Sequence, residues 1–420
     1  MRILHTADWH LGKIVNDFSM LEDQRYYLTN LIELLKDKEI DAIIMAGDLY
    51  DRALPPKEAV ALANRTLTRM VKELGVPVFV IAGNHDSNER IEYAADLLAD
   101  SRLYIEGTMK DTIRKVAFEG TNFYLLPFAD HVYVREKLQD DTIKNMEDAI
   151  RAQLATVKAT MNPNEVNILI AHGYVIQTGN DTSEPSDSER PLSIGTSEYV
   201  DVSLFEDFDY VALGHLHKAQ KVKDDKVRYS GSILKYSKSE TPHQKQTSIV
   251  TIEKDKLEIE PLRIKPLRDM RTIRSTFSEL MKGQSEDYLF FELEDTEYVL
   301  DAMNQLRRRY PHAMGLEYVS RRETESVALQ HNREDLQQLS YPDLFKDFYE
   351  LWPERFNNKT NGITQRRWLK HCNPWLSDLI SEAIGDGWTR NLDELRKLTP
   401  LAEDSAFRTR WMEIKRRNKQ

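Results

Sequence analysis

The sequence predicts an α/β fold in which buried strands end at a common rim of polar side chains. Five short runs are rich in aliphatic residues, and each is followed by Asp, Asn or His: Arg2–His5, Ala42–Met45, Val76–Ala82, Val166–Ile170 and Tyr210–Leu213. Apolar runs of this length are typical of buried strands. Because ligands bind at the carboxyl ends of the strands in open α/β sheets, we expect the five polar clusters to lie together.

The clusters contain side chains that bind divalent cations. In chain order they are Asp8-Trp9-His10, Gly47-Asp48-Leu49-Tyr50-Asp51, Gly83-Asn84-His85-Asp86, Ala171-His172-Gly173 and Gly214-His215-Leu216-His217. Asp8 and His10 are two apart on an extended loop, so both can face one ion. Asp48 has two carboxylate oxygens to share between ions roughly 3.5–4 Å apart. A lone histidine is usually an ordinary polar loop residue, but the five clusters in this order favour a two-metal site.

These motifs resemble those of the calcineurin-like metallophosphoesterase superfamily. Within it the chain is similar to the SbcD nuclease family, at Met1–Gly12, Ser188–Gly195, Ser230–Ser232 and Leu234–Ser237. The similarity extends from residue 1 to about residue 348. It departs from the family at Thr196 and Ile233, neither of which is a candidate ligand. The resemblance implies a four-layer β-sandwich flanked by helices, with a small α/β cap domain and a partial helical tail.

The resemblance also implies a role for each candidate residue. The first metal ion would be held by Asp8, His10, Asp48 and His217, and the second by Asp48, Asn84, His172 and His215. His85 would face the scissile phosphate, although it could instead be a spare ligand. Asp86 is a candidate to orient the His85 ring, and Asp51 is the other supporting carboxylate. A ligand set of nitrogen and oxygen fits Mn²⁺, with Mg²⁺ as the other option.

The implied function is DNA cleavage. The SbcD family implies a Mn²⁺-dependent 3′–5′ double-strand exonuclease and single-strand or hairpin endonuclease in DNA repair, recombination and replication. Its partners would be DNA ends, hairpins and an SbcC-type ATPase with a coiled coil, in a heterotetramer containing two copies of this chain. The alternatives are a phosphoesterase acting on small phosphodiesters and a sugar-binding protein that uses the tail.

Composition narrows the class of protein. The chain has 420 residues and a formal net charge of −11, which argues against coating nucleic acid through global charge. The sequence contains no run of about 18 apolar residues, so no membrane span is expected. The single cysteine, Cys372, excludes an intramolecular disulfide and indicates a cytoplasmic protein. The polar tract Thr178–Arg190 is predicted to be a solvated surface loop in preference to a DNA contact.

We expect four regions. They are a nuclease domain (1–265), a cap for DNA ends (266–325), an ATPase-binding segment (326–350) and a tail (351–420). In the cap we predict strands at Thr272–Phe277, Asp287–Leu293 and Ala313–Tyr318, and a helix at Val299–Tyr310 with Leu300, Met303 and Leu306 on one face. Arg307, Arg308 and Arg309 on that helix are interpreted as a solvated face or a DNA contact. The partner-binding helix is expected at Glu334–Phe348.

The tail differs from the rest of the chain. Five of the six tryptophans follow Leu351, and residues 351–420 contain 14 Lys and Arg against 9 Asp and Glu. The tail resembles an internal fragment of the glycogen/maltodextrin phosphorylase family, from Leu351-Trp352-Pro353 through Asn361-Gly362 and Cys372-Asn373-Pro374. The pyridoxal phosphate lysine of that family lies beyond this fragment, so neither the cofactor nor phosphorolysis is expected. We predict a non-functional, protease-sensitive passenger that is either loosely ordered or docked on the cap.

Overall fold

A computed structural model describes residues 1–179, 185–189, 199–254, 256–319, 369–370 and 373–418. The chain forms two compact units, Met1–Glu325 and Ser326–Gln420. No helix within the described ranges has both the length and the hydropathy needed to cross a bilayer. The predicted partner-binding helix at Glu334–Phe348 lies outside the described residues.

Short strands alternate with helices along the first unit. The strands are β1 (Arg2–Thr6), β2 (Ile14–Val15), β3 (Phe18–Ser19), β4 (Ala42–Ala46), β5 (Val78–Ile81), β6 (Leu103–Glu106), β7 (Arg114–Phe118), β8 (Thr121–Leu126), β9 (Val166–His172), β10 (Tyr174–Ile176), β11 (Tyr199–Asp201), β12 (Tyr210–Gly214), β13 (Gln220–Lys221), β14 (Val227–Tyr229), β15 (Thr247–Glu253), β16 (Lys256–Leu262), β17 (Met270–Ser275), β18 (Tyr288–Leu293) and β19 (Ala313–Tyr318). The helices are α1 (Leu21–Leu35), α2 (Lys57–Glu73), α3 (Asn88–Ile91), α4 (Ala95–Ala99), α5 (His131–Leu138), α6 (Met146–Thr160), α7 (Phe277–Leu280) and α8 (Ala302–Arg307).

Two six-stranded sheets pack face to face in this unit. The first has the order β16-β15-β1-β4-β5-β6 and the second the order β13-β14-β12-β9-β8-β7. Aliphatic and aromatic side chains from both sheets fill the space between them, and Phe79 stacks on Phe123 with ring centroids 4.1 Å apart. Helices α1 and α2 pack on the outer face of the first sheet, and α6 packs on the second. The predicted four-layer α/β sandwich is confirmed.

The five predicted strands correspond to β1, β4, β5, β9 and β12, but they belong to two sheets. Strands β1, β4 and β5 are parallel neighbours in the first sheet, and β9 and β12 are parallel neighbours in the second. The predicted sandwich therefore draws these five strands from both of its sheets. The polar clusters meet because the carboxyl ends of both sets of strands reach the same edge of the sandwich.

A smaller parallel sheet, β17-β18-β19, follows the sandwich. Its apolar core includes Leu289, Phe291 and Leu306, and its three strands match the predicted ones within a few residues. The helix is shorter than predicted, because Asp301 has a φ of +54° and α8 begins only after it. Leu300, expected on the buried face, is 80% exposed. The arginines at positions 307–309 are exposed to solvent.

The second unit is helical where it is described. It contains α9 (Pro374–Ile384) and α10 (Ser405–Arg417), with 3₁₀ turns at Asp386–Thr389, Leu392–Leu398 and Pro400–Glu403. Trp388 is buried and donates its indole N–H to Ser381 Oγ at 3.1 Å. Trp375 and Trp411 are 41% and 45% exposed. Trp352 and Trp368 lie outside the described residues.

Candidate metal centre

The loops after β1 and β4 run side by side and carry the first candidate residues. The Asp8 amide donates to Gly47 O at 3.1 Å, and the His10 amide donates to Asp48 O at 3.0 Å. Asp8, His10 and Asp48 have φ values of +53°, +45° and +55°. Such left-handed conformations are uncommon outside glycine and cluster at functional sites. These backbone bonds fix where the three side chains point.

Two glycines allow the side chains to approach each other closely. A Cβ on Gly83 would lie 2.2 Å from Asp48 Oδ1, and a Cβ on Gly47 would lie 2.3 Å from His172 Nδ1. Gly47 also has a φ of +88°, which L side chains rarely adopt. Both positions therefore require glycine for steric reasons.

One group of candidate ligands gathers around His10. Ligand atoms of Asp8, His10 and His217 lie within 4.8 Å of one another. The Nε2 atoms of His10 and His217 are 3.0 Å apart. Asp48 Oδ2 lies 3.6 Å from His10 Nε2. These four residues are the ones that the sequence assigned to the first ion.

A second group lies on the other side of Asp48. Asp48 Oδ2 is 3.5 Å from His172 Nε2, so this carboxylate lies between the two groups. Asn84 Oδ1 is 2.9 Å from His172 Nε2 and 3.3 Å from His215 Nδ1. Asp8 also lies within 4.8 Å of Asp48 and His172. It therefore approaches both groups, although the sequence assigned it only to the first.

His85 lies beside both groups, and its ring is oriented by the main chain. Its Nδ1 donates to the Asp51 carbonyl at 2.8 Å, and its Nε2 is 4.0 Å from Asp48 Oδ2. The sequence suggested Asp86 for this orienting contact. The Asp86 carboxylate instead accepts from the amides of Leu49, Tyr50 and Gly83 at 2.9–3.1 Å. The correction is that Asp86 holds the loops after β4 and β5 together, because three amide donors converge on it.

Asp51 supports the first group with its side chain. Its Oδ1 accepts from Lys13 Nζ at 2.8 Å and lies 3.8 Å from His10 Nδ1. Asp51 therefore accepts from His85 through its main-chain carbonyl and lies near His10 through its carboxylate. These two contacts are consistent with the supporting role predicted for Asp51.

Burial shifts the ionisation of these residues away from their ordinary range. Burial, followed by the Asp48 charge, raises the pKa of Asp8 well above its usual value, and burial also raises the pKa of Asp48. Burial lowers the pKa of His10 and His215 well below the ordinary value and the pKa of His172 to about 4. Buried neutral imidazoles therefore face buried carboxylates.

This donor set fits divalent cations. Two imidazole nitrogens, His10 Nε2 and His217 Nε2, face each other at 3.0 Å, so that one cation between them would bind both. Metal binding requires deprotonated carboxylates and neutral imidazoles. A dication supplies the positive charge that would reverse the raised pKa values of Asp8 and Asp48. Nitrogen and oxygen ligands without thiolate suit Mn²⁺, Zn²⁺ or Mg²⁺ rather than a soft metal.

Several residues that support the site were missed by the sequence analysis. Gln24 on α1 donates to the carbonyls of Trp9 and His10 at 3.1 and 2.8 Å, which anchors the first loop. Ser188 Oγ is 2.7 Å from His217 Nδ1, and Glu189 accepts from the His217 amide at 2.7 Å. Part of the tract predicted as a solvated loop therefore contacts the site. Its membership in the SbcD-like motif was the available signal.

Two cavities lie near the candidate ligands, and one of them is lined by a ligand itself. One of about 250 Å³ lies beside Asn84 and is lined by Phe128, Tyr133 and Asn88. The other, of about 370 Å³, is lined by Lys13, Ser188 and Tyr236. The first cavity therefore reaches a candidate ligand directly, and the second reaches Ser188, which contacts His217.

Three family models match the chain. The calcineurin-like phosphoesterase model matches residues 1–219, and the SbcD C-terminal model, described as type 5 capsule protein repressor C-terminal domain, matches residues 266–351. The carbohydrate phosphorylase model matches residues 321–420. The tail therefore resembles phosphorylases, as the sequence predicted, and the match begins about thirty residues before the expected boundary.

Solved structures resemble the sandwich at low sequence identity. A dimetal phosphatase from Danio rerio is 15% identical, with a TM-score of 0.38, and the match covers 63% of this chain and 97% of that one. The protein TT1561 of Thermus thermophilus is 16% identical, with a TM-score of 0.39, and the match covers 62% and 99%.

Proposed function

The chain belongs to the calcineurin-like phosphoesterase family, and we propose that it is a Mn²⁺-dependent nuclease of the SbcD type. Membership in this family implies metal-dependent hydrolysis of phosphate esters. The finer proposal is 3′–5′ exonuclease activity on double-stranded DNA and endonuclease activity on single strands and hairpins. We further propose an SbcC-type ATPase as its partner in DNA repair and recombination.

One observation carries the choice of DNA over small phosphodiesters. The phosphoesterase sandwich is followed by a region, 266–351, that matches the C-terminal domain of SbcD. The small sheet β17-β18-β19 lies in this region. A phosphoesterase for cyclic nucleotides has no need of such an addition.

We propose that Asp8, His10, Asp48 and His217 hold one ion and that Asp48, Asn84, His172 and His215 hold the other. The position of Asp48 Oδ2, 3.6 Å from His10 Nε2 and 3.5 Å from His172 Nε2, supports its role as the bridge. Two cations held by these residues would supply the Lewis acidity that lowers the pKa of a bound water and offsets charge on the phosphate oxygens.

His85 is proposed to act on the substrate. Its Nδ1–H donates to the Asp51 carbonyl at 2.8 Å, so Nε2 is the nitrogen left to face the site. From there it can stabilise charge on the phosphate or deliver a proton to the leaving oxygen. Asp51 and Asp86 act indirectly, because they hold the loops that carry His10 and His85.

The test is cleavage of labelled DNA by the full-length protein. Blunt duplex, single-stranded and hairpin substrates are incubated with Mn²⁺, with Mg²⁺ and with chelator, and bis(p-nitrophenyl) phosphate reports general phosphodiesterase activity. We expect Mn²⁺-dependent DNA cleavage, reduced about 10²–10⁴-fold in His85→Leu. His85→Leu should still bind two ions by calorimetry, whereas loss of one ion would make His85 a ligand. Hydrolysis of the small diester without DNA cleavage would favour the alternative substrate class.

A further inference from the structure

His217 has a carboxylate at hydrogen-bonding distance behind its ring. Its Nδ1 is 2.7 Å from Ser188 Oγ and 3.2 Å from Glu240 Oε1. The Ser188 hydroxyl itself donates to Glu240 Oε1. An ionised carboxylate only accepts hydrogen bonds, so the imidazole proton lies on Nδ1. The lone pair of His217 Nε2 is thereby directed toward His10, 3.0 Å away.

Glu240 is fixed by a buried lysine. Its side chain is fully buried, and its Oε2 lies 2.5 Å from Lys245 Nζ. The same ammonium group donates to the His217 carbonyl and to Ser232 Oγ, each at 2.8 Å. The three hydrogens of the ammonium group are therefore all engaged. Lys245 holds both the carboxylate and the backbone of the histidine that the carboxylate faces.

A buried ion pair of this kind is a poor source of stability. The cost of desolvating both charges often equals their attraction, and apolar residues of similar volume would stabilise the fold as well. Orientation of His217 therefore explains the buried Glu240–Lys245 pair better than a contribution to stability does. A carboxylate behind a ligating imidazole fixes its tautomer and raises the basicity of the nitrogen that binds the metal.

Comparison with the other imidazoles makes the difference specific. His172 Nδ1 donates to the Ala46 carbonyl at 2.9 Å, and His85 Nδ1 donates to the Asp51 carbonyl at 2.8 Å. These acceptors are neutral, whereas His217 faces a full negative charge. The imidazole of His217 is therefore the stronger electron donor, and it lies in the group that contains Asp8 and His10.

We propose that Glu240, held by Lys245, is a positioning residue that directs His217 Nε2 to the first metal ion and strengthens its binding there. The inference rests on the proposed role of His217 as a ligand. It adds to that role a residue outside the motifs, 23 positions further along the chain. Loss of the carboxylate charge should weaken one metal site selectively, because Glu240 contacts His217 of the first group, whereas His172 of the second group donates to the neutral Ala46 carbonyl.

The experiment is Mn²⁺ titration calorimetry on the metal-free full-length protein. Wild type should bind two ions. Glu240→Gln should weaken one of them by about 10–100-fold, the usual effect of losing such a partner, and leave the other unchanged. Ser188→Ala, which keeps the carboxylate, should have a smaller effect on the same ion. Glu258→Gln, which removes a carboxylate from the exposed face of β16, is the matched control and should match wild type.

The outcomes separate this inference from the proposed function. Two ions bound by Glu240→Gln with wild-type affinity would overturn the role of Glu240 and leave the metal site standing. Wild type that binds fewer than two ions would overturn the proposed function and this inference together. If Glu240→Gln does not fold, ¹⁵N-histidine NMR of the metal-free wild type decides. The Nδ1–H tautomer at His217 supports the proposal, and the Nε2–H tautomer overturns it.

Discussion

Gly83→Ala should disable the site by moving Asp48. The added Cβ would lie 2.2 Å from Asp48 Oδ1 and 2.4 Å from the Asp48 amide nitrogen. Ordinary heavy-atom contacts need roughly 3.5 Å, so one of the two loops must shift by about 1 Å. Asp48 cannot turn away alone, because its carbonyl accepts from the His10 amide at 3.0 Å. A misplacement of about 1 Å can reduce turnover about 10²-fold.

The assay is Mn²⁺-dependent hydrolysis of bis(p-nitrophenyl) phosphate, with the melting temperature measured in parallel. Overpacking should also cost about 1–3 kcal/mol of stability. Gly120→Ala is the matched control, because Gly120 has a φ of +77° and no atom within 4 Å of an added Cβ. It should lose about 1 kcal/mol through backbone strain and keep full activity. A folded Gly83→Ala protein with turnover within threefold of wild type would refute the steric argument.

Three further predictions concern the metal bridge, acid stability and the tail. Asp48→Asn should reduce binding below one Mn²⁺ per chain by calorimetry, whereas His217→Ala should weaken mainly one ion; two tight ions in Asp48→Asn would contradict the bridge. Burial lowers the pKa of His5 to about 3, whereas the unfolded value is about 6.5. The unfolded chain therefore binds the proton first, and the stability that neutral His5 contributes is present above pH 6.5 and lost as the pH falls toward 3, by up to about 1.4 kcal/mol per unit. The free energy of unfolding, measured with urea on metal-free protein, should decrease less between pH 7 and pH 5.5 in His5→Gln than in wild type. Equal decreases in the two proteins would be evidence against His5 as the origin. Stopping the chain after Glu350 should leave hydrolysis and the main melting transition unchanged, because a fragment of about seventy residues has only a marginal core; loss of Mn²⁺-dependent cleavage would give the tail a role.

The local features of the sandwich were predictable because each depends on neighbouring residues. An aliphatic run such as Ala42–Met45 can only be buried, and the structure places β4 at Ala42–Ala46. The Asp-x-His and Gly-Asn-His-Asp motifs carry their ligands within a few residues, so their grouping could be stated before the fold. The predicted start of the cap helix was wrong for a local reason too, because Asp301 adopts a left-handed conformation and the helix begins only after it.

The supporting residues were not predictable because they come from distant parts of the chain. Gln24 reaches the first loop from α1, and Glu240 reaches His217 from a 3₁₀ turn at Lys238–Glu240. Nothing in their flanking sequence distinguishes them from surface polar residues. The contacts of Asp86 were missed for the same reason, since its adjacency to His85 in the sequence does not reveal the three backbone amides that donate to its carboxylate.

The strands, the candidate ligands and the chemistry that they offer could all be predicted from the sequence, because strand patterns and ligand types are properties of short segments. The three-dimensional structure was needed to show which strands form each sheet, that Asp8 approaches both groups of ligands, and that Glu240 and Lys245 stand behind His217. These relations depend on how loops from opposite sheets meet at one edge of the sandwich. That meeting is set by the packing of the two sheets across a shared core, which no single segment encodes.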